Sequence, residues 1–238
     1  MMRPLQDRRE TFFREHIDEG AKVLDIGAST GSFLDRIRGD YSVHATEFNP
    51  DHAKFLRDEL KIPTDERDID KAFPGELFTV ITLYHVLEHQ PDPVAFLGKV
   101  KERLIGGGWV IIEVPNVNDA LVSIYDIPEF QDFFFRESHL SYFEQTTLAN
   151  TMLAQGFEAR VYLRQDYSLM NHLNWLFRME PQENAQMARL PWNLVAESHP
   201  ASTVINRFMA RIDREYRTLM DTMVSTNALS AVGRKREI

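Results

Sequence analysis

Val23 to Leu34 reads VLDIGASTGSFL. A short apolar run, Val23, Leu24 and Ile26, carries Asp25 near its end. It breaks into small residues from Gly27 to Gly31, and helical spacing resumes at Phe33, Leu34 and Ile37. Strand, tight small-residue turn and helix together let a ligand press against backbone at a helix N-terminus. Such a turn serves a dinucleotide, a phosphate or a nucleoside, so the surrounding residues must decide. A dinucleotide turn requires G-x-G-x-x-G, but here Ser29 separates Gly27 from Gly31 and Ser32 follows. The phosphate-cradling G-x-x-x-x-G-K-[ST] pattern is also missing.

Downstream of the turn, Ser42 to Phe48 alternates like a strand and finishes on Glu47. That acid follows the turn by about 20 residues, the spacing at which a carboxylate meets two ribose hydroxyls. The alternative is a solvated carboxylate at a strand end. Pro50 to Leu60 reads as a helix, and Phe78 to Tyr84 as a buried strand. Asp92 caps and Pro93 opens a helix running to Leu104, which Gly106 to Gly108 stop before a strand from Trp109 to Val114. An amphipathic helix is expected over 5–18, a helix over 145–155 and a strand over 157–163. Residues 170–222 are helical in composition, broken at Pro181, Pro191 and Pro200, and a short strand is expected at Ala228 to Val232. Strands alternating with helices predict an α/β fold with a doubly wound, mostly parallel sheet. The organisation expected is an α/β domain over 1–165, a helical insertion over 166–225 and a strand returning to the sheet within 226–238.

Of the 238 residues, 43% are apolar and 26% charged, an ordinary balance for a globular protein. Against 27 basic side chains stand 36 acidic ones, a formal net charge of −9. That balance argues against nucleic acid as the main substrate, which would need a basic face. With no cysteine, thiolate nucleophiles, disulfides and Cys-based zinc sites are excluded. MMRPLQDRRETFF at the start is too charged for a signal peptide, and no apolar run approaches bilayer length. The expectation is a cytoplasmic protein without membrane insertion.

The segment DIGASTGSF resembles the first motif, D-x-G-x-G-x-G, of class I S-adenosylmethionine-dependent methyltransferases, with Ser29 in place of the middle glycine. Further on, LFTVITLYHVLEHQPDPVAFLGKVKERLIGGGWVIIEVPN is similar to that family's fourth strand, helix, glycine turn and fifth strand, in order and at the expected distances. The resemblance runs from Ala21 to Asn116. It implies a Rossmann-like, seven-stranded sheet and S-adenosylmethionine as cofactor. Carried over by residue, it implies Gly27, Ala28 and Gly31 as a backbone cradle for the methionine part, with Asp25 supporting the loop. Glu47 would hold the ribose, Phe48 would lie beside the adenine, and Asp68 would sit near its amino group. Tyr84 and His85 would line the cofactor near its sulfonium.

Phe133 to Phe143, FFFRESHLSYF, resembles the H-L-x-Y-F segment of methyltransferases acting on sugars and related small metabolites. In that group a Glu and a His of this stretch belong to the active site. Here His139 matches, Glu137 sits one residue further back, and Tyr142 joins the candidates. A hydroxyl nucleophile must lose its proton as the methyl moves, and a neutral imidazole suits that task, so His139 is the leading candidate base. A purely structural, loop-bonding histidine is the alternative. Gln165 to Leu176, QDYSLMNHLNWL, brings Tyr167, Asn171, His172 and Trp175 to helix-like spacing. Amides and imidazole read hydroxyls and an indole stacks on a sugar face, so His172 is a further catalytic candidate and the others substrate contacts. The same residues otherwise pack a helical subdomain.

The expected function is O-methylation of a sugar or sugar-like hydroxyl on a small-molecule substrate. C-methylation of a keto-sugar or quinone-like acceptor and a non-catalytic binding role are the alternatives. No D…D-N metal constellation follows the fourth and fifth strands, so a reaction without metal is expected. The helical segment from Asn171 to Thr222 is expected to cover the sheet's carboxyl edge or to form a homodimer contact.

Overall fold

The computed structural model describes residues 3–184 and 187–237. In chain order its elements are α1 (Arg3–Arg14), β1 (Lys22–Ile26), α2 (Leu34–Ile37), β2 (Ser42–Thr46), α3 (Pro50–Asp58), β3 (Thr64–Asp65) and β4 (Phe78–Tyr84). There follow α4 (Pro93–Glu102), β5 (Leu104–Pro115), α5 (Ala120–Ser123), α6 (Pro128–Phe134), α7 (Gln145–Ala154), β6 (Phe157–Arg164), α8 (Leu169–Arg178), α9 (Ser202–Met220) and β7 (Ala228–Lys235). Single 3-10 turns lie at Leu87–His89 and Met187–Arg189.

Seven strands form one sheet in the order β3-β2-β1-β4-β5-β7-β6. The first five are parallel, and β7 runs antiparallel between β5 and β6. Period-2 alternation explains why both faces are covered. On one face Leu24, Ile81 and Ile112 pack with Leu97 and Val100 of α4 and Leu148 and Met152 of α7. Their chain neighbours Val23, Val80 and Ile111 point the other way, onto Phe13 of α1, Leu34 and Ile37 of α2 and Leu56 of α3. A third cluster, Leu121, Ile127, Phe130, Phe134 and Trp175, joins α5, α6 and α8.

Local chemistry sets the helix starts. The Asn49 side chain accepts from the Asp51 and His52 amides, that of Asp92 from Ala95, and that of Ser168 from Asn171. Several bounds differ from the sequence reading. The first helix ends at Arg14, four residues short of the expected end. β5 begins at Leu104, because that residue pairs with Phe78 before the register shifts and pairing resumes at Val80 with Trp109. The last strand extends to Lys235, paired with β5 as far as Arg234 and with β6 as far as Lys235. No described helix is long and apolar enough to cross a membrane.

Candidate functional site

The parallel strands end together. Ile26 pairs with Thr46 and Leu83, and Tyr84 pairs with Glu113, so the loops after β1, β2, β4 and β5 share one sheet edge. Strand order reverses between β1 and β4, the place where open α/β sheets leave a crevice for ligands.

The Gly27–Gly31 loop occupies that crevice. Gly27 and Gly31 have φ of +70° and +69°, and a Cβ on Gly31 would lie 2.4 Å from Leu56 Cδ2. The amides of Gly27 and Ala28 both donate to the Thr46 carbonyl, and that of Gly31 to the Ala28 carbonyl. The cradle expected from backbone donors is therefore a cradle of space, because those three N–H groups are satisfied inside the chain. Glu47 staples the loop to β2: its carboxylate accepts from the Ser29 amide at 2.6 Å and the Asn49 amide at 2.8 Å. A carboxylate has about four lone-pair sites, so two stay available to ribose hydroxyls. Beside it the Phe48 ring is 63% exposed, a flat apolar face largely open to solvent. Asp25 is bonded across the sheet to the neighbouring strand. Its buried carboxylate accepts from Thr82 Oγ1 at 2.6 Å, tying β1 to β4, and burial pushes its pKa up to about 7.

Behind the edge lies a buried charge network. Glu113 of β5 accepts from Arg9 of α1 and pairs with Arg164 of β6 at 2.9 Å and with His85 Nε2 at 3.2 Å. Arg164 also donates to Asp166 at 3.1 Å. Burial raises the Glu113 carboxyl, but Arg9 and Arg164 outweigh it and hold it well below the usual range. His85, in the left-handed region at φ +58°, bridges Glu113 and Glu88, its Nδ1 lying 3.0 Å from Glu88 Oε1. Burial disfavours its charged form, yet hydrogen bonds to Glu113 and Glu88 prevail and carry its pKa up to about 9. Tyr84 points into the same region, with the Arg9 guanidinium 4.4 Å from its ring centroid and Phe33 packed edge-on.

Next to this network opens a cavity of about 540 Å³, its wall shared by His85, Glu88, Pro115, His139, Tyr167, Asn171 and Trp175. Phe130 and Phe133 of α6 pack against Trp175, the first edge-on and the second tilted, giving one side an aromatic surface. Asp119, Arg136, Asp166, Gln182 and Asn227 supply polar groups elsewhere on the wall. Burial holds the His139 pKa below its ordinary value, and its Nδ1 is buried without a hydrogen-bond partner. A second cleft of about 560 Å³ lies between α1 and β6, beside Phe12, His16 and Tyr162, and none of the sequence-predicted residues lines it.

Four expected site residues stand elsewhere. His172 is fully buried: its Nδ1 pairs with the Tyr216 hydroxyl, and the Gln165 amide donates to Nε2 at 3.3 Å. Burial and the charge of Arg217 push its pKa down to about 4, so it is a neutral packing group without access to a substrate. On α8 it projects toward α9, while Asn171 and Trp175 of that helix reach the cavity wall. Tyr142 is tied to the chain, its hydroxyl accepting from the Arg136 amide and donating to the Phe134 carbonyl. Glu137 is exposed on its loop and outside the cavity. Asp68 is exposed in a turn, whereas nearby Asp65 is fixed by Arg67 and the Phe73 amide.

A methyltransferase-domain family matches residues 1–161, two thirds of the chain. This protein belongs to that family. Its sequence is 25% identical over 176 residues to a ubiquinone biosynthesis O-methyltransferase of Thiobacillus denitrificans, covering 68% of this chain and 73% of that protein. It is 30% identical over 117 residues to a tRNA U34 carboxymethyltransferase of Dichelobacter nodosus, spanning 44% of this chain but only 36% of that longer protein. Among solved structures, a SAM-dependent methyltransferase from Archaeoglobus fulgidus superposes with a TM-score of 0.59 at 18% identity, covering 97% of this chain and 94% of its own. An N-methyltransferase from Bradyrhizobium japonicum, solved with S-adenosyl-L-homocysteine, gives 0.57 at 13% identity, covering 99% and 87%. Family and fold make this methyltransferase an enzyme whose methyl donor is S-adenosylmethionine, and the open glycine turn, the Glu47 lone pairs and the bare Phe48 ring fit that cofactor.

The cavity wall also holds residues that the motifs did not flag. Asp119 is buried, its Oδ1 taken by the Leu121 amide and its Oδ2 without a partner, and burial pushes its pKa up to about 7. No sequence pattern distinguishes it from an ordinary helix cap. Asp166 is equally silent, since Arg8, Arg217 and Asn227, which place it, come from segments far apart in the chain, whereas Arg136 is held by its own neighbours Phe133 and Tyr142 on a loop without periodicity.

Proposed function

We propose that this methyltransferase transfers a methyl group to a hydroxyl of a small, polyhydroxylated acceptor, a sugar or sugar-like compound, held in the 540 Å³ cavity. The observation that carries this reading is the make-up of the wall. Amide and carboxylate side chains share the wall with Trp175 and Tyr167, a combination of hydrogen-bonding groups and aromatic rings that suits a sugar. When bound, S-adenosylmethionine supplies a methyl on a positively charged sulfur. The Gly27–Gly31 turn and Glu47 would hold it, and the ends of β4 and β5 would align the acceptor oxygen with it. Alignment and exclusion of water then account for much of the rate. His139 brings a buried, unpaired ring nitrogen to the cavity and assists loss of the hydroxyl proton. The segment from α8 to α9 would act as a cap over the acceptor.

A formal charge of −9 supports a small molecule over tRNA as acceptor. The aromatic side of the wall, Phe130, Phe133 and Trp175, favours a second reading, a phenolic or quinone-like ring, in keeping with the relatives named for ubiquinone biosynthesis. The test incubates purified protein with methyl-labelled S-adenosylmethionine and separate panels of sugars, quinols and tRNA, identifying product by mass. Label in a sugar, lost in Asn171→Ala through a raised KM, supports the proposal. Label only in quinols transfers it to the second reading, and label only in tRNA overturns both.

A further inference from the structure

The 3-10 turn after β4 and the loop after α6 meet at one point. Leu140 and Ser141 donate their amides to the Glu88 carbonyl at 2.9 and 3.1 Å, and His89 Nδ1 lies 2.6 Å from the Ser138 carbonyl. These three bonds bring Glu88, His89 and His139 together, so that one ligand-capable atom from each lies within 4.8 Å of the others. The two imidazole rings stand 4.9 Å apart, inclined at 70°.

Two atoms in this cluster lack partners. Glu88 is 1% exposed; its Oε1 faces His85, but its Oε2 is buried with no hydrogen bond. His139 Nδ1 is likewise buried and unpaired. A buried carboxylate oxygen and a buried imidazole nitrogen left without partners cost stability, and a bound cation is one way to offset that cost. In His89 the carbonyl of Ser138 occupies Nδ1, which leaves Nε2 as the remaining ligand atom. Fixing one ring nitrogen on a carbonyl so that the other points at a metal is the usual outer-shell arrangement of metal-binding histidines. His85 does the corresponding job for Glu88 by holding Oε1.

We propose that Glu88, His89 and His139 form a site for a divalent transition-metal ion on the rim of the acceptor cavity. Two imidazoles and one carboxylate suit zinc, cobalt or iron rather than magnesium or calcium, which prefer oxygen ligands throughout. Three protein ligands leave a coordination position open, and Glu88 and His139 both line the cavity, so that position faces the acceptor. The role proposed for the ion rests on the hydroxyl-acceptor reading above. An acceptor oxygen on the metal loses its proton more readily, as metal-bound water does. The proton leaves to solvent, the oxygen lone pair forms the new C–O bond, and the sulfur keeps the C–S electron pair and becomes neutral. His139 thus assists proton loss as a ligand, and the cation takes the part first expected of its imidazole. The motif reading had no means to join these residues, because His139 lies on a loop remote in sequence from Glu88 and His89.

The test dialyses the full chain against a chelator and titrates Co²⁺ while recording its visible absorption. One equivalent per chain, a low-symmetry cobalt spectrum and its displacement by Zn²⁺ are expected. The exposed His89→Ala and the loop variant His139→Ala should each abolish the spectrum while circular dichroism and calorimetric binding of S-adenosylhomocysteine stay unchanged. Absence of saturable Co²⁺ and Zn²⁺ binding by the wild type, or binding that survives both substitutions, overturns the site. If metal binds as described but no hydroxylated acceptor is methylated, the site stands and the acceptor reading fails.

Discussion

The two halves of the crevice are built by different means. On the cofactor side the contacts are short in sequence: one loop of five residues, one acid and one ring, set by backbone geometry and by a single strand-to-strand register. On the acceptor side the wall is assembled from side chains of α6, α8, the end of β5 and six connecting segments, brought in from separate stretches of chain. A site made from backbone tolerates little change at a few positions. A site made from scattered side chains lets the substrate change while the scaffold stays, which is how one fold hosts many acceptors.

Glu113 is where the halves join, and removing it is the most damaging change. Glu113→Ala leaves Arg9, Arg164 and His85 facing one another without their shared anion. Breaking a buried pair in this way costs about 3–5 kcal/mol. Urea denaturation should show that loss, and calorimetry should show weakened binding of S-adenosylhomocysteine as well. If cofactor affinity is untouched, the halves are more independent than the shared network implies.

Gly31→Ala attacks the cofactor side alone. The left-handed backbone and the 2.4 Å approach to Leu56 act together. With about 1–2 kcal/mol for the conformation and about 1–3 for overpacking, a loss of roughly 3.5 kcal/mol is expected. The cobalt spectrum of the Glu88, His89 and His139 site should persist at temperatures where the variant is folded.

The acceptor side has its own signature, in pH. His172 is held at about 4 in the folded chain against 6.5 when unfolded. Above pH 6.5 it is neutral in both states and contributes no pH dependence. As pH falls toward 4, the unfolded chain takes up a proton that the folded one refuses, so stability drops by up to about 3 kcal/mol. His172→Gln should flatten this part of the stability profile, read by denaturation at a series of pH values. An unchanged profile would mean that the ring is not locked between Tyr216 and Gln165.

The same contrast decides what was legible in the sequence. The alternation of Val23 with Leu24 and of Ile111 with Ile112 is a local signal, and so are the Asn49 and Asp92 caps, so the doubly wound sheet could be read directly. The glycine turn and Glu47 were legible for the same reason. His172 misled because helix-like spacing places it one position from Asn171 without saying which side of α8 meets the cavity. Glu137 and Tyr142 misled because a loop carries no periodicity from which to infer direction. Asp119 was silent because what marks it is an unpaired oxygen in a buried place, a property that exists only once distant segments have met.

Ser29 gives the smallest effect and the sharpest comparison between halves. It stands where the family motif has glycine, and its φ of +51° is the left-handed conformation that glycine adopts without steric cost. Its side chain makes no hydrogen bond that accounts for its presence, whereas its amide, which any residue supplies, holds Glu47. Ser29→Gly should therefore keep the staple and relieve about 1–2 kcal/mol of strain, against about 0.5–1 kcal/mol of added chain entropy in the unfolded state. A gain of up to about 1.5 kcal/mol is expected by denaturation, with cofactor affinity equal or better. If Ser29→Gly instead weakens S-adenosylmethionine binding while stability rises, the hydroxyl touches the cofactor. The cofactor side would then hold a side-chain contact of its own, and the division into a backbone half and a side-chain half would have to be redrawn at this residue.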